Sequence, residues 1–259
     1  MSDCLPGTIW TRAAVLEQSR SWVSPWLPPG ATRVTVDGHE FHLLGSEATL
    51  TTVPSTVDAL RGAVAAAARC GATSLLVTAS PHYPGGTEMT DALMGMSAPP
   101  MGVYDIVATG ASAPSAAVLP GSTDVDVVEV RTREQLAEFE RTSALGWEYP
   151  PPSDQAIDAA WQKLEPGSFL ARCGGVSAGT GGFTLVGPVA RFWGAAVVPA
   201  ARGRGVYRGL VESRLRIAAS RGATLALVHA APTSSPILQS LGFVKVGERR
   251  TFRVVVDTE

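Results

Sequence analysis

At 259 residues the chain is long enough to bury a large core, as one big domain or two small ones. A net charge of −2 and a pI of about 6.1 give no electrostatic case for binding nucleic acid. No apolar run approaches the roughly 18–20 residues of a membrane span, and Met1 to Trp10 lacks the basic start and apolar stretch of a signal peptide.

In chain order, residues 11–24 read as a short helix ended by Pro25 and Pro28-Pro29. Trp10, Trp22 and Trp26, all within the first 30 residues, read as packing residues. Two alternating stretches, 33–37 and 40–44, form a hairpin turning at Asp37-Gly38. Residues 48–53 are a third strand closed by Pro54. Ser55 or Thr56 then caps an Ala-rich helix running to Cys70, with Gly71 as its stop. A buried strand (73–79), a helix (87–96) and a last strand (101–108) follow. The stretch from Thr109 to Thr123, rich in Ala, Ser, Pro and Gly, reads as a linker.

The second half opens with a strand at 125–130. Thr132 with Gln135 makes a capping box for a helix to about Leu145. After the loop Gly146-Trp147-Glu148-Tyr149-Pro150-Pro151-Pro152, Ser153 caps a second helix to Leu164. Strands at 169–173, 180–186 and 190–198 lead into Pro199 and an alternating Gly/Arg loop, then a helix over 206–221. A strand at 224–230, a short helix from Pro236 to Leu241, and two strands, 244–247 and 250–256, complete the chain. Cys4, Cys70 and Cys173 are scattered and odd in number. They suit a reducing cytoplasm, and no pair has metal-ligand spacing.

The two halves share a repeat. Residues 67–81 and 218–232 are identical at nine of fifteen positions without a gap, and each spells a helix end, a Gly and a buried strand. Each copy is preceded by a Val-Pro strand end, Val53-Pro54 and Val198-Pro199, but the first copy lacks the Gly/Arg loop.

That loop is the stretch with chemistry in it. A strand, a Gly-rich turn and a helix start make an anion site: first-turn N–H groups lack intrahelical partners and carry the positive end of the dipole. Walker spacing is missing, and Gly203, Gly205 and Gly209 do not have dinucleotide-fingerprint spacing. Arg202-Gly203-Arg204-Gly205-Val206-Tyr207 instead resembles the Arg-x-x-Gly-x-(Gly/Ala) loop of the GCN5-related N-acetyltransferases (GNAT), which holds the pyrophosphate of coenzyme A. Tyr207 departs from it, standing where a small residue is usual. Val197-Val198-Pro199 and Leu241-Gly242-Phe243 also resemble this family, and the resemblance covers about 124–257.

The resemblance implies an α/β (α+β) acyl-CoA N-acyltransferase fold with a mixed, splayed central sheet flanked by helices, in tandem with a degenerate first copy. The domains expected are 1–110 (degenerate, binding no CoA and serving as a packing partner), a linker at 111–123, and an acetyltransferase domain at 124–259. It further implies acetyl-CoA as acyl donor and a small-molecule or peptide amine as acceptor, in a cytoplasmic monomer or homodimer. Ala196, Val197 and Val198 would bond the pantetheine through their backbone. Arg202, Gly203, Arg204, Gly205, Val206, Tyr207 and Arg208 would form the phosphate cradle.

The proton-transfer residues depart from the family. Leu238 and Ala231 stand where a Tyr and an Asn are usual, and the strand 192–198 holds no Glu. Three residues remain as catalytic candidates. Glu148 lines the acceptor cleft or is solvated. His229 is a base at a strand end or a bonded core histidine. Ser234 donates to the thiolate or caps a helix. Tyr149 is an alternative candidate for the acid. A non-catalytic acyl-CoA-binding or regulatory protein is the alternative to an enzyme.

Overall fold

A computed structural model describes residues 3–22, 30–111 and 124–257. Trp26 and the expected linker beyond Ala111 lie outside the described residues. In chain order the elements are α1 (Arg12–Arg20), β1 (Thr32–Val36), β2 (His39–Leu44), β3 (Glu47–Leu50), α2 (Val57–Arg69), β4 (Ser74–Ala79), α3 (Gly86–Gly95), β5 (Pro100–Gly110), β6 (Val125–Glu129), α4 (Arg133–Trp147) and α5 (Asp154–Trp161). Then come β7 (Ser168–Cys173), β8 (Val176–Val186), β9 (Val189–Val197), a 3₁₀ turn (Pro199–Ala201), α6 (Val206–Ser220), β10 (Leu225–Ala230), α7 (Ser235–Ser240) and β11 (Val244–Val255). This is a mixed α/β fold with splayed, open sheet structure flanked by helices. No helix among the described residues is long and apolar enough to cross a membrane.

The chain divides into two compact units. One comprises Met1–Leu5, Ile9–Ala108 and His229–Glu259; the other comprises Pro6–Thr8 and Thr109–Val228. In the first unit, β1 and β2 form the expected hairpin, with Val36 opposite His39. Asp37 and Gly38 both have positive φ, 49° and 77°, as a two-residue turn matched to strand twist requires. β3 pairs antiparallel with β2 and parallel with β4. β4 and β5 are not neighbours. β11, from the far end of the sequence, lies between them and pairs antiparallel with both. It brings Phe252, Val254 and Val256 into a core with Phe41, Leu60, Leu75 and Val77, all buried. The sequence suggests two strands here, yet β11 is continuous. A register shift between Lys245 and Gly247 absorbs one residue as a bulge, so the polar run from Glu248 to Arg250 stays in the ladder with β5.

In the second unit the order is β10-β9-β8-β7-β6, with β9 and β10 parallel and the other pairs antiparallel. Phe169, Phe183 and Phe192 stack in series across three strands, at centroid distances of 5.6 and 6.0 Å. α6 packs on this sheet through a fully buried Arg214. Its Nε donates to Leu210 O, its Nη1 donates to Gly182 O, and its guanidinium lies 4.6 Å from the Phe192 ring centroid. Burial lowers its pKa to about 10, so it remains a cation at neutral pH. Gly181 is small for this reason: a Cβ there would stand 3.2 Å from Arg214 Nη1.

The far end of α6 is tied to β6 by Glu129, whose side chain is 6% exposed. Arg221 Nη2 donates to both carboxylate oxygens at 2.7 Å, Arg131 Nη2 donates at 2.9 Å and the Gly167 N–H at 3.0 Å. Burial alone would raise the Glu129 pKa, but the bonds from Arg221 and Arg131 outweigh it and the net shift is downward. A carboxyl held down in the folded state contributes stability above its unfolded pKa of about 4.3, lost as pH falls through the folded value. Glu129→Gln is therefore expected to cost about 3 kcal/mol at pH 7. The urea-midpoint gap to wild type should narrow between pH 7 and pH 3. A gap independent of pH would contradict the assignment.

The sequence repeat is also a structural repeat. In each copy a residue pair closes the helix the same way: Ala72 N to Ala67 O (3.1 Å) with Gly71 N to Ala68 O (2.8 Å), and Ala223 N to Ala218 O with Gly222 N to Ala219 O (both 3.0 Å). Gly71 and Gly222 take φ of 74° and 87°, which an L side chain resists. Each copy then enters a strand paired in parallel with the strand before its helix, β3 with β4 and β9 with β10.

Candidate functional site: the end of strand nine and the start of helix six

The ladder between β9 and β10 ends at Phe192↔Val228, while β9 runs on to Val197. A bulge marks the divergence. Between their pairings at Gly182↔Trp193 and Thr180↔Ala196, β9 spends one residue more than β8, and Gly194 takes φ 63°. A bulge bends its strand and increases the local twist, which draws β9 away from a straight partner. A lone Gly within the apolar strand pattern was the available signal for it.

Beyond the bulge, Val198 N donates to Ala178 O at 3.0 Å, toward β8. Alternation along an extended strand turns the N–H and C=O of Val197 the other way. Arg202 agrees: its Nε reaches back to Val197 O at 3.4 Å. Ala196 is buried. Its Cβ faces the last turn of α4, where a Cβ on Gly146 would lie 2.7 Å away. The close approach of α4 to the strand end therefore depends on Gly146.

After the 3₁₀ turn the chain runs through Gly203, φ 77°, and Gly205, φ 82°, which is the N-cap of α6. Val206 is buried, and a Cβ on Gly179 of β8 would meet its Cγ1 at 2.8 Å, so the helix start is seated directly on the sheet. No side chain caps α6. The corresponding helix of the first copy differs here. Thr56 caps α2, its hydroxyl accepting from Ala59 N at 3.1 Å. Both helices begin with N–H groups that have no carbonyl one turn back. In α2 a hydroxyl of the same chain takes one of them; at α6 the N-cap is a glycine, which has no side-chain oxygen to do so.

Arg202, Arg204 and the first turn, Val206 to Arg208, thus lie together around one helix start. Arg204 Nη2 is 3.4 Å from Asp124 Oδ2 in an exposed pair, a contact weak enough to exchange. Tyr207 and Arg208 are half-buried on that turn.

The catalytic candidates fall in different units. Glu148 is exposed, in the left-handed C-cap of α4 at φ 60°, where its N–H and that of Tyr149 both bond Ala144 O. His229 is in the first unit, in a chain of polar groups. Ser19 Oγ lies 2.8 Å from its Nε2 and 2.7 Å from the Tyr83 hydroxyl. Arg249 Nη1 is 2.7 Å from Nδ1 and 3.2 Å from Nε2, and the Trp22 ring lies at 4.3 Å. A guanidinium only donates, and its Nη1 lies close to both ring nitrogens, so a fixed cation is packed against the imidazole. Ser234 donates to Ala231 O at 3.2 Å and makes no cap bond to α7. Side chains from three separated segments, Ser19 with Trp22, Tyr83 and Arg249, gather around His229, a convergence that spacing along the chain does not reveal.

Residues 133–243 match the model of the acetyltransferase (GNAT) family. Among solved structures, a GCN5-related N-acetyltransferase from Kribbella flavida is 16% identical over 87% of this chain and 90% of that one, with a TM-score of 0.60. One from Sphaerobacter thermophilus is 14% identical over 93% and 85%, with a TM-score of 0.62. A tandem GNAT protein from the clavulanic acid biosynthesis pathway is 16% identical over 96% and 94%, with a TM-score of 0.64. At such identities the likeness is one of fold. No curated protein matches the sequence.

Proposed function

We propose that the protein is an acetyl-CoA-dependent N-acetyltransferase acting on a primary amine by direct attack, a reading supported by the match of residues 133–243 to the GNAT acetyltransferase model. The observation that carries this reading is the uncapped start of α6 beside the diverging end of β9. The residues fit the donor. Amides of Gly203 and of the turn from Gly205 to Arg208 suit a diphosphate, with Arg202 and Arg204 adding permanent charge. The backbone of Val197, turned away from β8, suits an amide of an extended pantetheine, once Arg202 exchanges the Val197 carbonyl for phosphate. The bound thioester supplies the acyl group. Backbone N–H groups at the strand end are suited to the charge that develops on its carbonyl oxygen. Glu148 and Ser234 remain the candidates for handling protons. Placement of this protein in the cytoplasm, and the reading of the first copy as a partner that binds no CoA, belong to the same proposal; the Thr56 cap on α2 supports the latter.

One observation favours a second reading, a non-catalytic acyl-CoA-binding protein: the ring of His229, a candidate base, is packed against Arg249, Ser19 and Trp22. The test is a panel of amines with thiol release as readout. Amine-dependent release of free thiol is expected. Tight acetyl-CoA binding with no turnover on any amine would leave the binding protein as the answer.

A further inference from the structure

The arginines of β11 are not alike. Arg250 pairs with Glu248, and Arg253 pairs with Glu47. Arg249 points to the opposite face of the strand from Glu248 and Arg250. It has no carboxylate partner among the described residues, and its Nη1 lies 2.7 Å from Nδ1 of His229 instead. Arg249 is half-buried, yet burial is the main cause that lowers its pKa. Its guanidinium is therefore desolvated in a recess that solvent still reaches. Ser19 Oγ, 2.8 Å from His229 Nε2, and the Tyr83 hydroxyl, 2.7 Å from that Oγ, belong to the same cluster. Burial raises the Tyr83 pKa, so the phenol is neutral and supplies no counter-charge. Glu17, a carboxylate close enough to act on Tyr83, pairs with Arg20 at 3.8 Å. Tyr104 stands opposite Arg249 in the ladder with β5, on the same face, and is 39% exposed. All these residues belong to the first unit.

We propose that Arg249, with the hydroxyls of Ser19 and Tyr83, is a binding site in the first unit for the carboxylate of a small aromatic acid. A cation withdrawn from water without a counter-ion is costly, and an arriving anion recovers that cost. A guanidinium has five N–H donors, and the bonds to His229 use only Nη1. Nε and Nη2 remain to meet the two oxygens of a carboxylate side by side. A single guanidinium balances a single negative charge, which favours a carboxylate over a phosphate dianion. The ring of Tyr104 offers apolar area to the body of an aromatic acid. The glycines and arginines before α6 belong to the other unit, so this site is distinct from the one assigned to the acyl donor. It makes the first copy a ligand-binding unit in its own right.

The experiment titrates benzoate, acetate, benzamide and inorganic phosphate into the full chain, with calorimetry as readout and a melt of each variant beside it. Benzoate should bind in the millimolar range, acetate more weakly, and the neutral benzamide not at all. Arg249→Gln should raise the benzoate Kd about tenfold or more, the range expected for lost bonds to a charged group. Arg249→Lys should raise it less, because the charge stays and the fork is lost. Tyr83→Phe should weaken benzoate severalfold, and it tests the site even where the arginine variants fail to fold. Acetyl-CoA affinity should stay unchanged in all three variants. Equal binding of benzoate and benzamide, benzoate affinity indifferent to Arg249 or Tyr83, tighter binding of phosphate, or no binding of benzoate at millimolar concentration would overturn the site. So would a loss of acetyl-CoA affinity in an Arg249→Gln chain that melts normally, since the recess would then belong to the donor site.

Discussion

A chain shortened to residues 1–110 should show no cooperative thermal transition, and should regain one when residues 229–259 are supplied as a separate peptide. The reason is the position of β11. Without it, β4 and β5 face each other across the width of a missing strand, each with an unpaired edge. The shortened chain also loses Phe252, Val254 and Val256 from its core. At about 2 kcal/mol for each buried side chain, that is about 6 kcal/mol, against a total of about 5–15 kcal/mol for a whole domain. Circular dichroism with and without the peptide measures the effect. A sharp melt of residues 1–110 alone, at the temperature of the full chain, would contradict it.

The second large effect is expected at the start of α6. Gly205→Asp should lower acetyl-CoA affinity about a hundredfold, or about 2.7 kcal/mol, while the melting temperature moves by no more than a few degrees. Two small terms oppose each other in stability. The left-handed φ of 82° costs a β-carbon residue about 1 kcal/mol, and aspartate in place of glycine at the N-cap returns about 0.3 kcal/mol. Nothing offsets the loss in binding, because the new carboxylate takes the helix amides for itself and repels phosphate. The same substitution makes α6 resemble α2, which Thr56 already caps. Isothermal titration with acetyl-CoA, beside a melt of the same sample, separates the terms. Unchanged affinity would remove the helix start from the binding site.

Local features were readable in the sequence where one residue type dictates one backbone state. The Asp37-Gly38 turn, the Thr132 capping box with Gln135, and the glycine stops at 71 and 222 all stand where the residues put them. The left-handed glycines 203 and 205 before α6 were legible for the same reason, since alternating glycines between a strand and a helix leave few conformations. What escaped was tertiary. Nothing in the composition of residues 244–255 says that the strand belongs between β4 and β5, and the charges from Glu248 to Arg250 mimic a turn. The exposed face of α6 could not be told from the buried one at Arg214, whose burial depends on Phe192 and Gly181 offering a ring and a gap. Around His229, partners converge from positions 19, 22 and 249, with Tyr83 behind Ser19. Convergence of that kind is a property of the folded chain alone.

The place of β11 also bears on how the protein is made. A ribosome releases the first hundred residues long before the strand that must slide between β4 and β5 exists. Until synthesis finishes, the nascent amino-terminal half carries two open strand edges, which are templates for pairing with other chains. Closure then joins segments separated by most of the sequence, a slow class of contact. Cells producing this protein quickly should accumulate it in insoluble form, and slower translation or a chaperone that shields strand edges should raise the yield.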